Sequence, residues 1–364
     1  MIARRLSLGA PVGHPLTVRA LAAFFVLSAA SAAFAADTPA TNGVAEAVSV
    51  LQVRPDVYML TVGDCNVALQ LGEDGAVVVD TGPPGAGEAL LRAIRSVTNK
   101  PIRYVIDTSG APESIGNNGA IADAGSRLGA DLVGTTNVSN ALGFKGANQP
   151  APIKAYHNVM NRMISSPPGG VAYPGDALPE EFYDTPQTYF YLNSGPIYLL
   201  WQPAAHSDGD SVVVFRRDDV VVTGAIFDMT RFPVIDVDQG GSIDGEIRAI
   251  NRLLDTQVNA VEPLGWREGE KYGTLVIPAR GDLSEQADVV QYRDMLTIIR
   301  DRVEYYMKQG KTMQQVVALQ PAAGYAPRFG ATSGPWTTDM FVEAVYKSLK
   351  GAHGKGSKRS GTAE

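Results

Sequence analysis

The side chains able to carry chemistry in this chain are few and widely spaced. The sequence holds one cysteine and four histidines. His14 falls in a leading segment, His353 in the tail, and His157 in Ala155-Tyr156-His157-Asn158, which fits no ligand pattern. That leaves His206, in Pro203-Ala204-Ala205-His206-Ser207-Asp208-Gly209-Asp210. Two other stretches are chemically dense: Asp107-Thr108-Ser109-Gly110-Ala111-Pro112-Glu113-Ser114-Ile115-Gly116-Asn117-Asn118 and Val276-Ile277-Pro278-Ala279-Arg280-Gly281. Ser109 and His206 are the types of a nucleophile and its base, with Asp107 or Asp228 to orient the imidazole. No Gly-x-Ser-x-Gly elbow accompanies them, so the alternative stands that His206 is satisfied by neighbouring polar groups. Cys65 has no histidine or arginine adjacent in sequence and reads as a small buried hydrophobe. Asp236-Val237-Asp238-Gln239-Gly240-Gly241 lacks the further oxygen ligands of a calcium loop and reads as a loop leading into a helix at Ser242.

The elements that must position these residues alternate between two kinds. Val57–Val62, Val67–Leu71 and Ala76–Val79 are short apolar runs separated by Gly63-Asp64 and Glu73-Asp74-Gly75, the pattern of an antiparallel meander. Leu90, Leu91, Ile94 and Val97 recur at helical spacing, and Arg103-Tyr104-Val105-Ile106 is a short strand that ends at the Asp107 loop. A helix is expected over 117–128. Residues 140–185 are rich in proline and glycine and read as long loops, a plausible flap over a pocket mouth. Strands resume at 188–191, 197–201, 211–215 and 220–222. Beyond Arg280 an apolar face from Ala287 to Tyr306 predicts a long helix ending near Gly310. Thr312-Met313-Gln314-Gln315 has the form of a capping box, and 336–349 supplies a closing helix. Trp266 and Trp336 read as packing or pocket-lining residues.

The ends and the composition bound the function. Arg4, Arg5 and Arg19, an apolar run over 20–30 and Ala33-Phe34-Ala35 read as a signal peptide over 1–36, with an apolar run too short to span a membrane. The expected location is therefore periplasmic or secreted, with no stable membrane span after cleavage. The net charge of −7 disfavours nucleic acid and anionic lipid as partners. A lone cysteine excludes an internal disulfide, so packing must supply the stability.

The ordered set of Gly63–Gly82, the Asp107 loop, His206 with Gly209-Asp210, Val221-Val222-Thr223-Gly224-Ala225, and Arg280 resembles the metallo-β-lactamase superfamily over most of 50–300. The family loop reads Thr-His-x-His-x-Asp-His-x-Gly-Gly-Asn, and Thr108, Gly116 and Asn118 match its frame. The resemblance implies an α/β, four-layer αββα sandwich over 47–283; the residues themselves add a polar leader at 37–46, a C-terminal helical extension over 284–350 and a Gly, Lys and Ser rich tail at 351–364 expected to be disordered. It also implies that Ser109, Ala111 and His206 surround one former metal position, and that Glu113, Ser114, Ala225 and Arg280 surround the other. Asp80, in Val79-Asp80-Thr81, matches a strand-end aspartate that holds the loop. Serine, alanine and arginine cannot supply the ligands a catalytic zinc needs, so the zinc expected for the superfamily is predicted absent. Arg280 would place a guanidinium where a metal cation once sat, with Glu113 as its nearest anion. The expected function is a pseudoenzyme that binds an unknown small molecule or protein in the former cleft. The alternative is a hydrolase of altered mechanism, either a metal-free Ser/His enzyme or one holding a single weak metal at Glu113 and His206.

Overall fold

A computed structural model describes residues 48–128, 149–165, 173–256 and 273–359, with side chains to 351. The signal segment, the leader, Trp266 and the last residues of the tail lie outside the described residues. So do 140–148 and 166–172 of the proline-glycine segment.

Two sheets form the centre. The first has seven strands in chain order: β1 (Ser49–Arg54), β2 (Val57–Val62), β3 (Cys65–Leu71), β4 (Ala76–Val79), β5 (Ile102–Ile106), β6 (Ile153–Tyr156) and β7 (Glu181–Tyr183). The second runs β12-β11-β10-β9-β8, from β8 (Gln187–Leu192), β9 (Gly195–Trp201), β10 (Ser211–Phe215), β11 (Val220–Val222) and β12 (Leu275–Ile277). The expected meander is present as antiparallel β2-β3-β4. β4, β5, β6 and β7 then pair in parallel, as do β11 and β12. β3, β4, β10 and β11 are buried along almost their whole length because both faces are covered. Val77, Val79, Ile106, Leu199, Val213 and Val222 belong to one core cluster, the apolar layer shared by the two sheets. This is the expected sandwich.

Helices cover the outer faces. The α1 helix (Gly87–Val97) buries Leu90 and Ile94 in a cluster with Leu69, Val78 and Val105. On the second sheet lie α5 (Ile243–Thr256), α6 (Gln286–Lys308), α7 (Met313–Ala318) and α9 (Thr338–Arg359), the last preceded by the short α8 (Ala326–Phe329). Their cluster joins Val212, Val214 and Val221 of the sheet to Ile250, Leu296, Ile299, Phe341 and Val345. Val44–Glu364 form one compact unit, so the C-terminal helices share a core with the sandwich.

The structure departs from the sequence reading in three places. The proline-glycine segment holds β6, the α4 helix (His157–Ile164) and β7, where long loops were expected. Ile153 and Ala155 are buried, and parallel pairing to β5 gives so short a run its partner. The helix expected over 117–128 is only α3 (Asn118–Asp123), which follows the one-turn α2 (Pro112–Ile115). Finally, α9 runs past Leu349 into the segment expected to be disordered. Once the face around Phe341 and Val345 is docked, each further residue adds a helical hydrogen bond without a new nucleation cost.

Thr312 caps α7 as its sequence implied: its Oγ1 accepts from Gln315 N–H at 3.3 Å, and Thr312 N–H donates to Gln315 Oε1 at 2.9 Å. Thr312→Ala is expected to lower stability by about 1 kcal/mol, read as a shift in the urea midpoint at unchanged slope.

Candidate functional site

The strand ends of both sheets deliver four segments to one place: the β2–β3 turn, the Asp107 loop after β5, the segment after β11 and the loop after β12. The Asp107 loop is held by hydrogen bonds among its own residues and the end of β4. Asp80, at φ 61°, accepts from Thr108 N–H at 2.8 Å and Thr108 Oγ1–H at 2.7 Å, tying the ends of β4 and β5 together. Burial pushes the Asp80 carboxyl up to about 7, against the pull of those Thr108 bonds. Asn118 Nδ2 donates to Asp107 Oδ2 at 2.9 Å, and Thr81 Oγ1 donates to Asn118 Oδ1 at 2.9 Å. Gly116 lies so close to Gly82 and Pro83 that a β-carbon would meet their backbone. Gly224, at φ 52°, likewise sets its turn against the Thr108 side chain, where a β-carbon has no room.

Arg280 is the centre of what these segments enclose. Its Nε donates to Asp64 Oδ2 at 3.0 Å, Nη1 to Asp228 Oδ2 at 3.4 Å and Nη2 to Glu113 Oε1 at 3.2 Å. Arg231 braces the same acids, with Nε 3.1 Å from Asp228 Oδ2 and Nη2 3.4 Å from Glu113 Oε1. The Arg280 side chain is 8 % exposed, Asp228 4 %, Glu113 35 % and Asp64 73 %. Burial opposes the guanidinium charge, yet the surrounding Cys65, Asp228, Asp64 and Glu113 hold its pKa above the ordinary value. For Asp64 and Glu113 burial is likewise outweighed. Arg280, with backbone help at Glu113, keeps both carboxyls below their usual range.

Two members of this cluster escaped sequence reasoning. Asp64 sits in a turn that reads as punctuation, and Arg231 in a segment with no recognisable spacing. Asp228, a candidate orienter of His206 by sequence, serves Arg280 instead, three residues after the frame position Ala225, which carries no donor. A charge-balance argument could have pointed to them, since one buried arginine at the meeting of several loops calls for more than one carboxylate. Cys65 also comes close to Arg280, a neighbour its sequence context did not suggest. Burial nonetheless pushes its thiol up to about 12, because Asp64 and Glu113 offset the arginine, and Sγ–H donates to Asp64 Oδ1 at 3.2 Å. It remains a thiol at neutral pH.

The Ser109–His206 dyad does not form. Ser109 is buried, its Oγ donating to Ser114 Oγ at 3.2 Å and accepting from Ala111 N–H at 3.1 Å. His206 Nδ1 donates to the Val234 carbonyl at 2.7 Å, which fixes the tautomer and leaves Nε2 with a lone pair when the ring is neutral. Neither Asp107 nor Asp228 orients it. Asp210 braces its loop, accepting from Ser207 N–H at 2.6 Å and Ser207 Oγ–H at 2.9 Å. His157 stacks edge-on against Phe182 and takes no part.

No family model matches the chain, and a comparison with curated proteins finds no match. Solved structures do match. The chain is similar to the stereoselective inverting sec-alkylsulfatase Pisa1 from Pseudomonas sp., with 13 % identity, 82 % of this chain and 50 % of that chain covered, and a TM-score of 0.54. A double mutant of that enzyme gives 13 %, 83 %, 50 % and 0.55. The chain thus spans about half the length of the alkylsulfatase chains it matches. A metallo-β-lactamase from Pontibacter korlensis aligns at 15 % identity, covering 69 % of this chain and 99 % of that one, with a TM-score of 0.48.

The chain has the metallo-β-lactamase fold.

Within the metallo-β-lactamase fold the donor set here does not fit a zinc ion. His206 keeps the attitude of a ligand histidine, with one ring nitrogen held by a carbonyl. Of the other frame positions, Ser109 and Ser114 bond to each other, Ala111 and Ala225 have no side-chain donor, and Glu113 is engaged by two arginines. The described residues contain no group of three or more His, Cys, Asp or Glu able to hold a metal, and a catalytic zinc takes three protein ligands and an open position.

Proposed function

We propose that this is an exported protein that uses the metallo-β-lactamase fold without a catalytic zinc, and that it binds a small molecule or a protein partner at the cleft around Arg280. One observation carries this reading: a guanidinium bonded to three carboxylates from separate segments, where the frame puts a metal position. A guanidinium stays charged at every physiological pH and can tie loops together as a metal ion does. It cannot generate hydroxide by lowering the pKa of a bound water. The cluster therefore keeps the mechanical part of a metal centre and lacks its chemistry. The exposed carboxylate of Asp64 and the half-buried Glu113 are the polar groups a visiting molecule meets first. Export rests on the residues of the leading segment, and it places binding in the periplasm or outside the cell.

A second reading, a metal-free hydrolase, is favoured by the free Nε2 of His206, which could act as a general base. Against it, Ser109 Oγ is occupied by Ser114 and Ala111 rather than aligned on His206. Sulfate-ester hydrolysis, the activity suggested by likeness to the sec-alkylsulfatase Pisa1, would need a nucleophile or metal that these positions do not supply.

Metal content separates the readings. After zinc loading and desalting, mature protein is expected to retain well below one zinc per chain by mass spectrometry, with His206→Ala indistinguishable. Stoichiometric zinc that His206→Ala loses would restore the metal-dependent hydrolase.

A further inference from the structure

The segment that holds His206 also lines a cavity that belongs to no part of the Arg280 cluster. Val234 O accepts from His206 Nδ1–H, and Asp236 N–H donates to the His206 carbonyl at 2.9 Å. Residues 234–238 then form one side of a cavity of 420 Å³. Trp336 lines it as well, with Ala344 of α9 and three longer side chains of that helix, Met340, Glu343 and Lys347. The spacing of those three puts them on one face of the helix. The volume lies in the range of small-molecule sites.

The charges on this lining do not cancel. Lys347 Nζ pairs with Glu343 at 3.4 Å, one turn away on the same helix. Asp236 and Asp238 have no cationic partner among the described residues. Asp236 Oδ1 accepts from Gln239 N–H at 2.9 Å, a local turn bond that leaves the carboxylate charge uncompensated. Beside these two acids stand an indole and a thioether. An anion would be repelled here, and a purely apolar guest would gain nothing from the two aspartates. A cation carried on an apolar body suits both, since ammonium groups are attracted to carboxylates and to the faces of aromatic rings, and alkyl chains to polarizable sulfur and indole. A divalent metal ion is a poor alternative, because two carboxylates supply too few of the oxygens it needs.

We propose that this cavity binds a small alkylammonium compound, with its charge at Asp236 and Asp238 and its alkyl body against Trp336 and Met340. Because Val234 and Asp236 are bonded directly to His206, an occupant is also felt at the imidazole.

The test uses three probes of one shape: hexylammonium, hexan-1-ol and hexanoate, titrated into the full mature chain at fixed ionic strength and followed by NMR. Hexylammonium is expected to give saturable shifts at residues 234–238, at the Trp336 indole and at the His206 ring. Hexanol should bind about tenfold more weakly, and hexanoate should give no saturable shift. Asp236→Asn with Asp238→Asn should weaken hexylammonium by about tenfold. Lys347→Ala, on the exposed side of α9, should strengthen it several-fold by freeing Glu343. Equal binding of hexanol and hexylammonium would overturn the proposal by showing a merely apolar hollow. So would unchanged affinity in the double aspartate variant, weaker binding in Lys347→Ala, or no saturable shift with any probe.

Discussion

Replacing Arg280 with methionine is expected to lower stability by about 3 kcal/mol, the lower end of what removing one partner from a buried ion pair costs. The three acids do not contribute equally. Asp64 is 73 % exposed, and its share is screened by water. Glu113 at 35 % exposure keeps Arg231 and can partly hydrate. Asp228, 4 % exposed, cannot hydrate, but it retains Arg231 together with Thr230 N–H and Thr230 Oγ1–H. That remaining support is why the lower end applies. Arg280→Lys should recover only part of the loss, because an ammonium is a point charge that cannot address three carboxylates from one plane. Glu113→Gln should be destabilising in the native background and milder, or favourable, beside Arg280→Met. Urea denaturation of the four variants reads the coupling directly. A loss below about 1 kcal/mol in Arg280→Met would mean that the cluster contributes no more than an exposed ion pair and that other contacts hold these loops together.

Glu246→Met is expected to act in the opposite direction, raising stability at pH 8 by about 1–3 kcal/mol. Glu246 lies on α5 between Ile243 and Ile250, fully buried, and both its carboxyl oxygens lack a hydrogen-bond partner among the described residues. Burial, reinforced by the nearby Asp210 charge, holds its carboxyl well above the ordinary range. Methionine keeps the length of the side chain and removes the polar group. The sign with pH follows from proton counting. Asp80, Asp107 and Glu246 all have carboxyls raised in the fold, so above about pH 4 the folded chain holds protons that the unfolded chain has released. Stability contributed by these groups is fully present below the unfolded values and is lost as pH rises, for Asp80 through about 7. Asp64 and Glu113, lowered by Arg280, work the other way and withdraw their support only as pH falls below about 4. Wild-type stability should therefore peak in mildly acidic solution and decline toward pH 8. Glu246→Met should flatten that decline, with a smaller gain at pH 5 than at pH 8. A variant less stable than wild type at pH 8 would show that Glu246 has a partner worth more than its burial costs.

Local periodicity in the sequence was enough for a mixed α and β chain, and the resemblance carried by the Asp107 loop was enough for the sandwich. Thr108, Gly116 and Asn118 have a structural role that needs no metal: they clamp Asp80, pack backbone on backbone and bridge Asp107 to Thr81. The β2-β3-β4 meander, α1, α6 and the Thr312 cap were legible because each is written in a local period or a local hydrogen bond. What the sequence left open is which charges meet. Asp64 and Arg280 are separated by most of the chain, and only the convergence of strand ends brings them within 3.0 Å. The same convergence gave Asp228 to Arg280 and not to His206, turned the His206 ring toward Val234, and placed Cys65 where acids cancel the arginine beside it. It also recruited β6 and β7, whose few residues carry no period of their own, into the first sheet. Local periodicity records the torsions and the buried face of a segment. Partnership between distant charges depends on where loops of different lengths end, and that is set only when both sheets have packed.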